Sequence, residues 1–210
     1  LYGFQMARAS FEGLVALRPE ERPFVLTRSG YAGIQRYSAV WLGDNMSWWE
    51  HLALSIPMLI NVGLSGVPFC GVDVGGFGGD CSQELLIRWY ELGIFYPFFR
   101  NHSSMLGAVQ EPWVFGKETE DKIRHLVETR YRLLPYLKRL FWEHVRNGAP
   151  VLRPLFWVYP NDENVYGIDD QFLFGNDIMV APVVKRGQDS RVVYFPPGRW
   201  IPLENKNEII

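Results

Sequence analysis

Residues 66–80 read Gly66-Val67-Pro68-Phe69-Cys70-Gly71-Val72-Asp73-Val74-Gly75-Gly76-Phe77-Gly78-Gly79-Asp80. The run up to Val72 is apolar on both faces. A strand of that kind belongs inside a parallel sheet that is covered by helices on both sides. It leads into a glycine-rich loop that opens on an acid, Asp73, and glycine lets backbone approach a ligand closely. Upstream, Phe24-Val25-Leu26-Thr27 is a short apolar strand that ends in Arg28-Ser29-Gly30, and downstream Val151 to Tyr159 is another apolar strand.

Helical patterns fill the gaps between these strands. Phe4, Met6, Ala7, Phe11, Leu14, Val15 and Leu17 fall near helical spacing, and Arg18-Pro19-Glu20-Glu21-Arg22-Pro23 breaks that helix. Tyr37 to Asn45 reads as loop. Ser47-Trp48-Trp49-Glu50 matches a capping box for a helix to about Asn61. Ser82 can cap a helix through Leu85, Leu86, Trp89 and Leu92. A long helix from about Glu118 to Asn147 is expected to kink at Pro135 and to end at Gly148. Helices alternating with strands indicate a parallel α/β architecture, in which the polar site lies at the carboxyl ends of the strands. Arg28, Asp44, Asp73 and His102 each follow a strand or sit in a loop that can return to that edge. After Tyr159 the pattern changes to short strands at 171–174, 178–184 and 191–198, the opening of a β-sandwich. The reading therefore divides the chain at 1–158 and 159–210.

Composition narrows the function classes. The chain has 210 residues, 48% hydrophobic, with a net charge of −2 and no basic stripe or polybasic run, so neither nucleic acid nor a membrane surface is indicated as partner. No segment has the apolar length of a membrane span. The thirty-two aromatic residues (8 Trp, 10 Tyr, 14 Phe) suit core packing, with sugar-ring stacking the sharper reading. Cys70 and Cys81 form no Cys-x-x-Cys pair; a disulfide is open, and free thiols in a cytoplasmic setting are the expectation. The first residues, Leu1-Tyr2-Gly3-Phe4, have no basic run and are not expected to be a signal peptide, and both ends read like the inside of a larger protein.

Trp41-Leu42-Gly43-Asp44-Asn45 sets a carboxylic acid in a glycine-bent turn beside an aromatic ring. An enzyme that holds a proton ready for a leaving group needs such an acid, and a nearby Arg can grip the substrate. Asp44 alone also suits a turn or helix cap, although Ser47 already supplies a cap. Asp73 is either a loop acid bound to its own backbone or a pocket residue. The glycines after it match neither a phosphate loop nor a dinucleotide fingerprint. Arg100-Asn101-His102 combines a cation, an amide and an imidazole after an aromatic-proline turn. His51, His125 and His144 fall on expected helices as surface or packing residues. No histidine pair has metal-ligand spacing, so no metal or other cofactor is expected.

Thr27-Arg28-Ser29, Trp41-Leu42-Gly43-Asp44-Asn45, Gly71-Val72-Asp73-Val74-Gly75-Gly76-Phe77 and Phe99-Arg100-Asn101-His102-Ser103, in this order and spacing, resemble glycoside hydrolase family 31, the α-glucosidase and α-xylosidase family. The likeness continues through Arg153-Pro154-Leu155 and Phe174-Gly175-Asn176-Asp177. The resemblance implies a (β/α)8 barrel followed by a β-sandwich, with strands five to eight at Leu1-Tyr2-Gly3, Phe24–Arg28, Val67–Asp73 and Val151–Leu155. It implies that Asp44 is the general acid/base of a retaining mechanism. Arg28 and His102 would hydrogen-bond the sugar, and Trp41, Asp73 and Phe77 would line the same pocket. The family's nucleophile motif, of Trp-x-Asp-Met-Asn-Glu type, is absent. The resemblance thus implies the C-terminal half of the barrel and part of the next domain of a longer enzyme, inactive alone and prone to associate with its missing half or with itself. Besides α-glucosidase, an α-xylosidase, a transglucosidase or a non-catalytic relative that binds carbohydrate or a partner protein stays open.

Overall fold

The computed structural model describes residues 1–203. The expectation for Asn205 to Ile210 lies outside these residues. Helix α1 spans Tyr2–Leu17, α2 Trp49–Leu64, α3 Gln83–Gly93, α4 Lys117–Asn147 and α5 Leu155–Val158. Strands β1 Leu26–Thr27, β2 Ala39–Trp41 and β3 Cys70–Gly71 form one parallel sheet in that order, and β4 Asp73–Val74 pairs in parallel with β5 Arg100–Asn101. The amide of Phe98 donates to Cys70 O at 2.9 Å, so β3 and β4 form one interrupted strand beside β5. Strands β6 Leu152–Arg153, β7 Phe172–Phe174 and β8 Ile178–Val180 form an antiparallel sheet.

The helices cover the parallel strands through one core. Leu52, Ile56 and Leu59 of α2, Leu86, Trp89 and Leu92 of α3 and Ile123, Leu137 and Leu140 of α4 all bury their side chains. Each such aliphatic side chain contributes about 1.5–3 kcal/mol of hydrophobic stabilisation. Phe172 and Phe174 of β7 join this core from the antiparallel sheet. Among the described residues no helix is long and apolar enough to cross a membrane. Cys70 and Cys81 are free and buried, and burial pushes both thiols up to about 12.

Several sequence expectations are corrected. Leu1-Tyr2-Gly3 is the start of α1 and not a strand, because its backbone enters the helical ladder, with the Gln5 amide donating to Leu1 O at 3.1 Å. The segment read as loop from Tyr37 to Asn45 contains β2, a strand too short for an alternation signal but paired on both sides. The apolar run from Val151 is not the eighth parallel strand. Only Leu152–Arg153 is extended, it pairs antiparallel with β7, and Pro154 then starts α5. The last strand of the parallel set is β5, which carries Arg100-Asn101. Residues 191–198 form no strand. Pro196-Pro197 offers no backbone donors, and Tyr194 is held instead by one side chain, with Gln171 Nε2 donating to its carbonyl at 2.8 Å and Gln171 Oε1 accepting from its amide at 3.1 Å. Helix α4 contains Pro135 and, as expected, stops where Gly148 turns left-handed, φ +77°.

Candidate active site

Each parallel strand delivers a polar side chain to the same edge. Arg28 follows β1, Asp44 follows β2, Asp73 opens β4, Arg100 opens β5 and His102 follows it. Arg28 Nη1 donates to Asp44 Oδ2 at 2.8 Å, and both side chains are about half exposed. Asp44 therefore faces the strand mouth and is reachable from outside. Arg100 Nη2 donates to Asp73 Oδ1 at 2.9 Å, and Asp73 is only 1% exposed. The two guanidinium groups flank the Trp41 ring, Arg28 at 5.9 Å and Arg100 at 5.5 Å from its centroid, within cation–π range. A shallow cavity of about 280 Å³ opens between Arg28, Gly43, Asp44, His51, Met58 and Val72.

The loops behind these side chains are fastened to one another. Asn45 Nδ2 donates to Asp73 O at 2.9 Å while Asn45 Oδ1 accepts from the Asp73 amide at 3.0 Å. The Asn45 carbonyl accepts from Phe77 N at 2.7 Å. Ser47 does not cap α2, as its capping-box pattern predicts. Trp48 is the N-cap residue, without a side-chain bond, and Ser47 Oγ donates instead to Gly75 O at 2.8 Å. Ser47 therefore leaves α2 without a side-chain cap, and among the described residues the Asp44 carboxylate does not supply one either but accepts from Arg28. Gly43 is required by packing, since a Cβ there would collide with the Asp73 carboxylate and the Trp41 indole.

Burial raises the Asp73 carboxyl above the ordinary range. The Arg100 hydrogen bond, the His102 charge and the Arg100 charge oppose that rise, and the charge of Asp44 adds to it. Desolvation dominates because the carboxylate loses its water and gains one close cation. Asp73 Oδ2, Trp41 Nε1 and Arg100 Nε are buried without hydrogen-bond partners among the described residues. Phe77 and His102 lie ring against ring at 5.2 Å. Arg28, Trp41, Asp44 and Asp73 thus cluster with Arg100, whereas Phe77 and His102 form a second pair, and His102 lines a separate cavity of about 960 Å³ with Asn101 and Gln110.

Three contributors escaped the sequence reading. Arg100 belongs to the Arg100-Asn101-His102 cluster, but its pairing with Asp73 spans 27 positions. Asn45 read as turn chemistry. His51, expected on a surface or in packing, accepts from the Met46 amide at 2.8 Å and lines the cavity beside Asp44. Among the described residues no group of His, Cys, Asp or Glu is arranged to hold a metal ion.

A reachable carboxyl, two arginines and an aromatic ring thus gather at the carboxyl ends of parallel strands, where barrel enzymes carry their active sites. Residues 1–140 match the Glycosyl hydrolases family 31 TIM-barrel domain, and residues 148–209 match the Glycosyl hydrolase family 31 C-terminal domain. The chain belongs to glycoside hydrolase family 31. It is 51% identical over 201 residues to Alpha-glucosidase 2 of Bacillus thermoamyloliquefaciens, covering 96% of this chain and 26% of that protein. It is 45% identical to Neutral alpha-glucosidase C of Mus musculus, over 94% of this chain and 22% of the relative. The glucose complex of a GH31 dextranase from Flavobacterium johnsoniae superposes with a TM-score of 0.94 at 37% identity, covering all of this chain and 27% of that one. The chain thus spans about a quarter of the length of the relatives it matches.

Proposed function

We propose that this chain carries the acid/base half of a retaining α-glucosidase that releases terminal α-linked glucose. The observation that carries the reading is the Arg28–Asp44 pair at the strand mouth, next to the buried Asp73–Arg100 pair and Trp41. In a retaining mechanism two carboxyl groups stand about 5–5.5 Å apart across the scissile bond. Asp44 would protonate the leaving oxygen while a second carboxylate attacks the anomeric carbon, forming a glycosyl ester. Asp44 would then take a proton from the water that releases the sugar. Arg28 would exchange its contact with Asp44 for a sugar hydroxyl, which frees the acid when substrate arrives. Trp41, Asp73 and Phe77 would line the sugar pocket, and His102 would hold a hydroxyl.

We further propose that the nucleophile and the remaining strands come from residues outside these 210, which complete the barrel, and that the isolated chain is inactive. The coverage of a quarter of each relative supports this, as do the few parallel strands described. We place the domain division between α4 and β6, earlier than the expected 159. The antiparallel pairing of β6 and the extents of the two matched family domains support that placement.

The test uses the full-length catalytic chain. Asp44→Ala should lose about 10²–10⁴-fold on substrates whose leaving group needs a proton and far less on activated aryl α-glucosides. Azide, which needs no general base, should restore turnover of the activated substrate and give the α-glucosyl azide. Equal losses on both substrate types, without azide rescue, would remove Asp44 from the acid/base role. Turnover of an aryl α-glucoside by the isolated 210 residues would end the claim of a missing nucleophile.

A further inference from the structure

Gln110 lies in the connection between β5 and α4, eight residues after His102, and is only 3% exposed. Its side-chain Nε2 is within hydrogen-bond distance of Val74 O at 3.2 Å, Gly76 O at 3.3 Å, Asn101 Oδ1 at 2.8 Å and His102 O at 3.2 Å. In return, Asn101 Nδ2 donates to Gln110 O at 3.0 Å and to Tyr90 OH at 3.1 Å. One buried amide thus ties the end of β4 and the glycine loop after it to the end of β5. Gly75 is shaped around this amide: its φ is +92°, and a Cβ there would stand 2.7 Å from Gln110 Nε2. Gln110 Oε1 is buried without a partner among the described residues. A side chain kept for packing alone would carry no orphaned oxygen, because an apolar residue of equal volume avoids that loss. The donor end is what the position needs.

We infer that Gln110 is a positioning residue for the glycosidase site, holding the His102 backbone against the Asp73–Phe77 loop so that the imidazole stays beside Phe77. Phe77 and His102 sit on the two segments that Gln110 joins, and their rings meet at 5.2 Å. A second stitch lies on the outer side, where the Ser104 amide donates to Phe77 O at 2.8 Å. The inner stitch is buried at Val74 and Gly76 and part-buried at Asn101 and His102, and its two amide protons are shared among four acceptors that include the His102 carbonyl. The inference rests on the reading of His102 as a sugar-binding residue.

A double-mutant cycle in the full-length catalytic chain tests it, with kcat/KM on an α-glucoside as readout. Misplacing a binding group by about 1 Å costs on the order of 100-fold, so Gln110→Ala should lose about that much. In a His102→Ala background the same change should cost only about threefold or less, since residues acting through one another are not additive. Gln110→Met, which fills the space without a donor, should behave as Gln110→Ala and serves if the smaller variant fails to fold. Losses that multiply would overturn the inference and leave the role of His102 standing. Full activity of His102→Ala alone would overturn both together. Unchanged kcat/KM in Gln110→Met would overturn the inference by itself.

Discussion

The parallel strands and the antiparallel sheet solve different problems with similar lengths of strand. β1 to β5 are two or three residues each and carry or lead into Arg28, Asp44, Asp73, Arg100 and His102. Their loops are joined by side-chain amides and hydroxyls bonded to backbone, as at Asn45, Ser47 and Gln110. The antiparallel sheet is equally short, but its middle strand is fully apolar, with Phe172, Leu173 and Phe174 no more than 1% exposed. Its one buried cation, Arg153, pairs with Glu143 of α4 at 2.9 Å and ties the sheet to the helix. One region holds polar groups in a fixed geometry at some energetic cost; the other supplies burial. Substitutions in the two should therefore separate activity from stability.

The sharpest break of this contrast is at Asp44. Asp44→Asn should lower activity of the full-length chain about 10²–10⁴-fold on poor leaving groups, while urea unfolding shifts by no more than about 1 kcal/mol, because its ion pair is half exposed. Phe174→Ala should do the reverse. It should cost about 3–5 kcal/mol in urea unfolding and leave kcat per folded molecule intact. Asn45→Ala falls between, costing about 1–3 kcal/mol for the backbone groups of Asp73 left unsatisfied, together with a measurable loss of activity. Ser82, whose hydroxyl accepts from the Leu85 amide at 3.3 Å, should matter only to stability: Ser82→Ala should cost about 0.5–2 kcal/mol in the same assay.

The smallest effect sharpens the comparison through pH. Asp73 has a raised pKa in the folded state, so between the unfolded value near 3.8 and its folded value the native state holds more protons than the unfolded one. Its contribution to stability must then fall as pH rises through that window and stay low above it. Asp73→Asn keeps an acceptor for Arg100 but has no charge to bury. The difference in melting temperature, variant minus wild type, should grow more positive from acid toward neutral pH. A difference that is flat, or that falls with pH, would mean that the Arg100 pair outweighs desolvation.

Much of the site was legible because its chemistry is written in short linear groups: Thr27-Arg28, Gly43-Asp44, Val72-Asp73 and Asn101-His102 each bring one side chain to one strand end. The helices α2, α3 and α4 were legible too, since a period of 3.6 over many residues gives a strong signal. Strand β2 was not, because three residues carry no periodicity and pairing on both sides creates the strand. The run after Val151 looked like one more strand of the barrel because apolar content does not specify direction or partner.

The sequence by itself determined the family, the alternating α/β order and the residues that carry charge to the strand ends, because these depend on residue types close together in the chain. Only the tertiary structure decided what those charges meet. Arg28 holds Asp44, Arg100 holds Asp73, and Asn45, Ser47 and Gln110 serve as stitches, not caps or turns. Those partners stand 16 to 36 positions apart, apart from the shorter reach of Gln110 back to Asn101 and His102. A hydrogen bond depends on distance in space, and the folded backbone alone sets that distance.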